Sequence, residues 1–200
     1  HRLRNGRLNQ TAYSLFLFIR DQTGSDFVGW IDDQLDMVDV ADSRSSQEAL
    51  IGPMRHIYGV SDKVLAMTLS TVLMADRSNR PRWFNVGSRM IVVDSLVHNF
   101  LGRTGILAAF DAGHAYGPKC YQHGGCSDIL RRVADRIDAR AFDLAFPANF
   151  PRFIQHALWR YCAADALNVC NGNNIDDYKS CELESCIVFS ICGKKALKRK

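Results

Sequence analysis

Residues 57–75 run Ile57-Tyr58-Gly59-Val60-Ser61-Asp62-Lys63 and then Val64-Leu65-Ala66-Met67-Thr68-Leu69-Ser70-Thr71-Val72-Leu73-Met74-Ala75. The second part is the clearest helix of the chain. Leu65, Leu69, Val72 and Leu73 recur at i, i+4, i+7 and i+8, one apolar stripe at helical spacing. Ser61 stands where an N-cap belongs. Before it, Gly59 permits positive φ or a close backbone approach, as a tight turn requires. Glu48–Ile57 reads as a short helix whose start is limited by Pro53. Two helices joined by a tight turn therefore form the nucleus of the reading.

Outward from that nucleus the pattern stays helical. Thr11–Asp21 carries Ala12, Leu15, Phe16 and Ile19 on one face, closed by Gly24 and Ser25, and 38–46 reads as a polar loop. Asp76–Arg82 reads as a charged excursion, followed by the apolar run Val86–Val93. Asp94 and Ser95 then cap a second helix through Leu96, Val97, Phe100 and Leu101, closed by Gly102–Gly105. Gly113–Gly125 is a glycine-rich loop. Helices follow over Asp128–Ile137 and Arg152–Leu167, separated by a break at Phe146–Pro151. No segment alternates with period two and no repeat is visible, so the expected fold is all-α. The break at Phe146–Pro151 divides the reading into a helical domain over 1–145 and a C-terminal helix with a four-cysteine loop and basic tail over 146–200.

Composition sets the outer limits. Of 200 residues, 47% are hydrophobic and 23% charged, which supports a folded core and excludes intrinsic disorder. A net charge of +4 permits a nucleic-acid partner without demanding one. The apolar run Leu15–Ile19 falls far short of a membrane helix, and no secretory pattern follows His1. Five of the seven cysteines fall in the last 39 residues. Such clustering in a chain with ample core fits metal or cluster ligation in a reducing compartment better than a disulfide scaffold.

Cys170, Cys181, Cys186 and Cys192 are spaced C-x10-C-x4-C-x5-C. Four thiolates at such intervals suit a [4Fe–4S] cluster or a tetrahedral zinc. Cys162 is an alternative first ligand, although its helix also suits a buried thiol. Cys120 and Cys126, with His114 and His123, form a second candidate metal group or else a solvated loop.

The turn at 57–63 resembles the hairpin of the helix-hairpin-helix DNA glycosylases, the endonuclease III-like superfamily. Gly59, Val60 and Lys63 fit its pattern; Tyr58 and Ser61 replace a proline and a glycine. Val92-Val93-Asp94-Ser95-Leu96-Val97, followed by Gly102-Arg103-Thr104, is similar to the family's aspartate helix. Lys63 and Asp94 lie 31 residues apart, a longer interval than in the family, and 76–85 reads as a polar insertion. The segment His156–Val169 and the interval Cys186–Cys192 resemble the family's lead-in helix and the end of its iron–sulfur loop. Helices that precede this region in the family have no clear counterpart here.

The resemblance implies a base-excision glycosylase, with abasic-site lyase activity as an extension. Lys63 would be the Schiff-base nucleophile and Asp94 the carboxylate that offsets charge developing on the sugar. The target base must be flipped out of the stack. Gly59, Val60 and Ser61 would present backbone N–H groups to a phosphate of double-stranded DNA. The cofactor implied is a [4Fe–4S] cluster on Cys170, Cys181, Cys186 and Cys192, with zinc as the alternative. A monomer in the cytoplasm, nucleoid or nucleus, with no membrane association, is expected. The alternatives are an inactive DNA-binding module of the same fold and a zinc-stabilised helical interaction domain.

Overall fold

The computed structural model describes residues 6–39, 42–172 and 174–198. Two residues of the expected 38–46 loop (40 and 41) and the last two of the basic end (199 and 200) lie outside the described residues. Among the described residues all regular structure is helical: α1 (Leu8–Leu17), α2 (Phe27–Asp36), α3 (Ser43–Met54), α4 (Asp62–Met74), α5 (Pro81–Arg89), α6 (Ser95–Arg103), the single turn α7 (Ile106–Ala109), α8 (Cys126–Ala134) and α9 (Pro151–Cys162). The chain divides into two compact units, His1–Met90 and Ile91–Lys200. The boundary expected at 145/146 thus falls inside the second unit.

In the first unit, α4 is the packing axis. Leu65, Leu69 and Leu73 are buried along one face, while Val72 of the expected stripe is exposed. Helix α5 lies close on this face because Gly87 has no side chain: a Cβ there would meet Leu73 Cβ at 2.8 Å and the Ser70 carbonyl at 3.2 Å. The polar insertion expected over 76–85 is therefore half helix, with Pro81 at the first helical position and Trp83 buried. The Trp83 indole N–H and the Arg80 guanidinium both donate to Asp32 of α2.

Helix α2 itself carries Trp30, Ile31 and Leu35 inward and is capped by Asp26, which accepts from Gly29 N–H at 2.8 Å. Helix α3 begins at Ser43, inside the stretch read as a loop, because Asp42 caps it. Pro53 sits in its last turn. The missing N–H there costs a single hydrogen bond, so the proline marks the end of the helix and not its start. The stripe expected on α1 is largely solvent-facing, with Leu15 and Phe16 exposed; Phe18, in the π turn that extends the helix, packs edge-on against Trp30 at 5.3 Å.

The second unit opens on a buried extended segment, Ile91–Val93, before α6. Its core gathers Ile91, Val93, Val97, Leu101, Ile129 and Leu130, with α6 and α8 packed on α9. Helix α9 ends at Cys162, where Ala163 turns extended, so the expected continuation to Leu167 and Val169 is a turn. The tail returns to the end of α6. Gly193 N–H donates to Thr104 O at 2.9 Å and Lys195 N–H to Arg103 O at 2.8 Å. No helix among the described residues is long and apolar enough to cross a membrane.

Candidate metal centre

His98 lies on α6, one turn after the capping Asp94, and points inward at 8% exposure. The loop after α7 brings His114 back to it, with the imidazole centroids 5.1 Å apart. A short 3-10 turn, Pro118–Tyr121, then buries Cys120, and Cys126 opens α8; both thiols have 0% exposure. His98 Nδ1 is 3.4 Å from Cys126 Sγ and 3.6 Å from Cys120 Sγ, and His114 Nε2 is 3.5 Å from Cys126 Sγ. All four ligand atoms lie within 4.8 Å of one another, and this group can hold a metal ion.

The loop folds this way for local reasons. Gly125 has no Cβ, and one would fall 2.2 Å from the Lys119 carbonyl; Gly124 takes φ +73°. These two glycines let the chain double back tightly enough to place both cysteines on one side. The Tyr121 hydroxyl accepts from Val93 N–H and donates to Val93 O, each at 3.0 Å. It thereby fastens the loop to the segment just before Asp94. His114 Nδ1 lies 2.6 Å from the Ala112 carbonyl, which fixes the proton there and leaves Nε2 with a lone pair. The Cys120 thiol is pushed down to about 3, chiefly by the Cys126 thiol beside it and then by His98. The same sharing, with burial, pushes Cys126 up.

The sequence pointed to His114, Cys120 and Cys126 but to the wrong fourth residue. His123 is exposed and faces Asp128 at 3.2 Å. The true neighbour, His98, sat within a helix read only as apolar. Its signal was a histidine four residues after the capping aspartate, on the inward face of α6.

The four tail cysteines come together as well, in a different way. Cys170, Cys181, Cys186 and Cys192 line one small apolar pocket, closed by Phe100, Arg103 and Tyr161 among others. Among the described residues, the tight ligand grouping is that of His98, His114, Cys120 and Cys126; the tail sulfurs are not drawn in to that degree. Arg103 reaches this pocket at 3% exposure. Its Nη2 donates to Asp177 at 2.9 Å, and Nη1 is buried with no hydrogen-bond partner among the described residues. The Tyr161 hydroxyl lies 2.9 Å from Cys186 Sγ. Cys162 is hydrogen-bonded to Cys170, which pushes the Cys170 thiol down, with the Arg103 charge adding to this, and the Cys162 thiol up.

Asp94 is half-buried and caps α6, accepting from Val97 N–H at 2.9 Å. Its charge, after burial and before that of Cys120, helps to raise the Tyr116 phenol. Lys63 is half-buried in the first turn of α4. Lys63 belongs to the first compact unit and Asp94 to the second.

Gly59 takes φ +71°, as a tight turn demands. Val60 N–H closes that turn on Ile57 O at 3.3 Å. Ser61 occupies the N-cap position in an extended conformation without a side-chain capping bond. Helix α1 braces the same turn: Thr11 Oγ1 donates to Tyr58 O, and Tyr58 N–H donates to Ser14 Oγ, both at 2.9 Å.

Comparison with known proteins gives no match, whether to a family model, a curated protein or a solved structure.

Proposed function

We propose that the chain is a base-excision DNA glycosylase in which Asp94 is the carboxylate that stabilises charge developing on the sugar. The observation that carries this reading is the make-up of α6. The helix begins on the half-buried Asp94 carboxylate and ends on Arg103, whose buried guanidinium reaches a pocket lined by four cysteines. That is the order of parts the sequence resemblance implies. Gly59 in the left-handed region, between α3 and α4, supports a phosphate-gripping turn at Gly59, Val60 and Ser61. Lys63 follows in the first turn of α4 and is assigned the nucleophilic amine. On attacking the sugar carbon it displaces the base, and the resulting Schiff base permits β-elimination of the strand.

The four-cysteine pocket fits an anionic group. An arginine nitrogen buried without a partner is expensive in an apolar cavity and is satisfied by negative charge. Four thiolates around one metal ion would sit about 3.8 Å apart at tetrahedral geometry. The tail cysteines line one pocket without closing to such a single-ion grouping, and together with the sequence resemblance this favours a [4Fe–4S] cluster on Cys170, Cys181, Cys186 and Cys192 over zinc. When bound, such a group would hold the tail in place rather than take part in the chemistry.

Borohydride trapping on DNA with an abasic site tests the lyase step: the wild-type chain is trapped and Lys63→Ala is not. Equal trapping of both proteins removes Lys63 from the mechanism. Brown colour with broad absorption near ~400 nm supports the cluster; a colourless, zinc-loaded tail rejects it.

The His98 group favours a second reading, a zinc-stabilised helical interaction domain, because the glycosylase resemblance gives none of its four residues a metal-ligating role.

A further inference from the structure

We infer that His98, His114, Cys120 and Cys126 form a closed structural Zn²⁺ site that clamps the loop from His114 to Cys126 onto α6. This site is separate from the four-cysteine pocket and does not depend on the glycosylase reading.

Geometry and the donor set together point to the metal. Tetrahedral zinc with Zn–S of about 2.3 Å and Zn–N of about 2.0–2.1 Å places sulfur and nitrogen ligands about 3.5–3.6 Å apart. The three recorded N···S separations are 3.4, 3.5 and 3.6 Å. The four ligand atoms also lie within 4.8 Å of one another, close enough for one ion to draw them together. Two imidazoles and two thiolates are also the donor set that a borderline-soft ion takes, and not one for Mg²⁺ or Ca²⁺.

The outer contacts agree. Ala112 O orients His114 through Nδ1, leaving Nε2 as the ligand atom. Four protein ligands fill the tetrahedron, so no position is open for an activated water, and the site is structural.

The clamp has a consequence for the surface. Tyr116 lies between the ligands His114 and Cys120, and its ring centroid is 5.8 Å from that of His98. Asp94 stands one turn before His98 on α6. Closing the metal site therefore fixes a half-exposed aromatic ring on the Asp94 side of the helix.

The test uses the full chain purified with zinc in the growth medium, with Cys181→Ser and Cys186→Ser introduced so that tail metal does not contribute. Elemental analysis is expected to find about one zinc per chain, and Co²⁺ substitution to give tetrahedral d–d bands with thiolate charge transfer. His98→Asn and His114→Leu should lose the metal, His114→Cys should keep it, and His123→Asn should be silent. Chelation should raise tryptic cleavage after the exposed Lys119 about tenfold or more, because the loop then opens locally. A chain with neither zinc nor a cobalt–thiolate spectrum, in both the unsubstituted protein and a double variant whose circular dichroism matches it, overturns the proposal. So do metal loss in His123→Asn with retention in His98→Asn, and cleavage at Lys119 indifferent to chelator.

Discussion

The Asp94 carboxylate accepts the Val97 N–H and so caps α6, a task an asparagine side chain performs about as well. Asp94→Asn should therefore leave the thermal midpoint nearly unchanged, whereas Asp94→Ala should cost about 1 kcal/mol. A calorimetric scan of the two variants separates capping from any chemistry the charge performs. Gly125 is constrained more sharply. A methyl group there lies 2.2 Å from the Lys119 carbonyl, so the turn that presents Cys120 and Cys126 must open. Gly125→Ala should destabilise the chain by about 1–3 kcal/mol and weaken metal retention, read by denaturant unfolding and elemental analysis together. Both residues were visible in the sequence, Asp94 as a cap and Gly125 as part of a glycine-rich loop. What the sequence did not reveal is the partner of the loop. His98 is 16 residues from His114, and only the fold of α6 against the loop brings the two imidazoles together.

At the scale of elements, α4 with its apolar stripe and α6 with its stripe and Asp94 cap were legible. Helices depending on tertiary context were not. Helix α3 starts about five residues earlier than Pro53 suggested, because a proline in a last turn forfeits only its own hydrogen bond. Helix α5 was hidden by charged residues: Arg80 and Arg82 pair with Asp32 and Asp36 of α2, so the polarity that read as an excursion is the polar contact between two helices. Helix α1 was placed correctly along the chain but assigned the wrong inner face. Its attachment is polar, through Ser14 and Thr11 to Tyr58 at the turn before α4. Ser14→Ala leaves the Tyr58 N–H without this acceptor and should cost about 1 kcal/mol. Urea unfolding measures the loss, and amide exchange at Tyr58 should quicken with it.

Across the whole molecule, both thiol-rich groups fall in the second compact unit, Ile91–Lys200, and they lie toward opposite ends of α6. His98 lies near its start and Arg103 at its end. With both sites loaded as proposed, the stability of one unit would be tied to its bound groups and that of the other to its apolar core. Hydrogen exchange after chelation should therefore rise in α6 and α8, with α4 and α5 unaffected. A uniform rise through both units would show that the metal supports the chain as a whole. The four tail cysteines were legible as a group, since their order alone suggests one site. Their shared pocket with Arg103 was not, because it depends on the tail returning to hydrogen-bond Arg103 and Thr104.

Base excision through Asp94 is open to a single-turnover cleavage assay. Duplex DNA bearing a panel of damaged and mismatched bases is incubated with metal-loaded chain and then treated with alkali to cut the abasic sites. Excision of at least one member of the panel is expected, with a fall of about 10²–10³-fold in Asp94→Asn at an unchanged thermal midpoint. Intact substrate across the whole panel, or equal rates for Asp94→Asn and the wild-type chain, would contradict it.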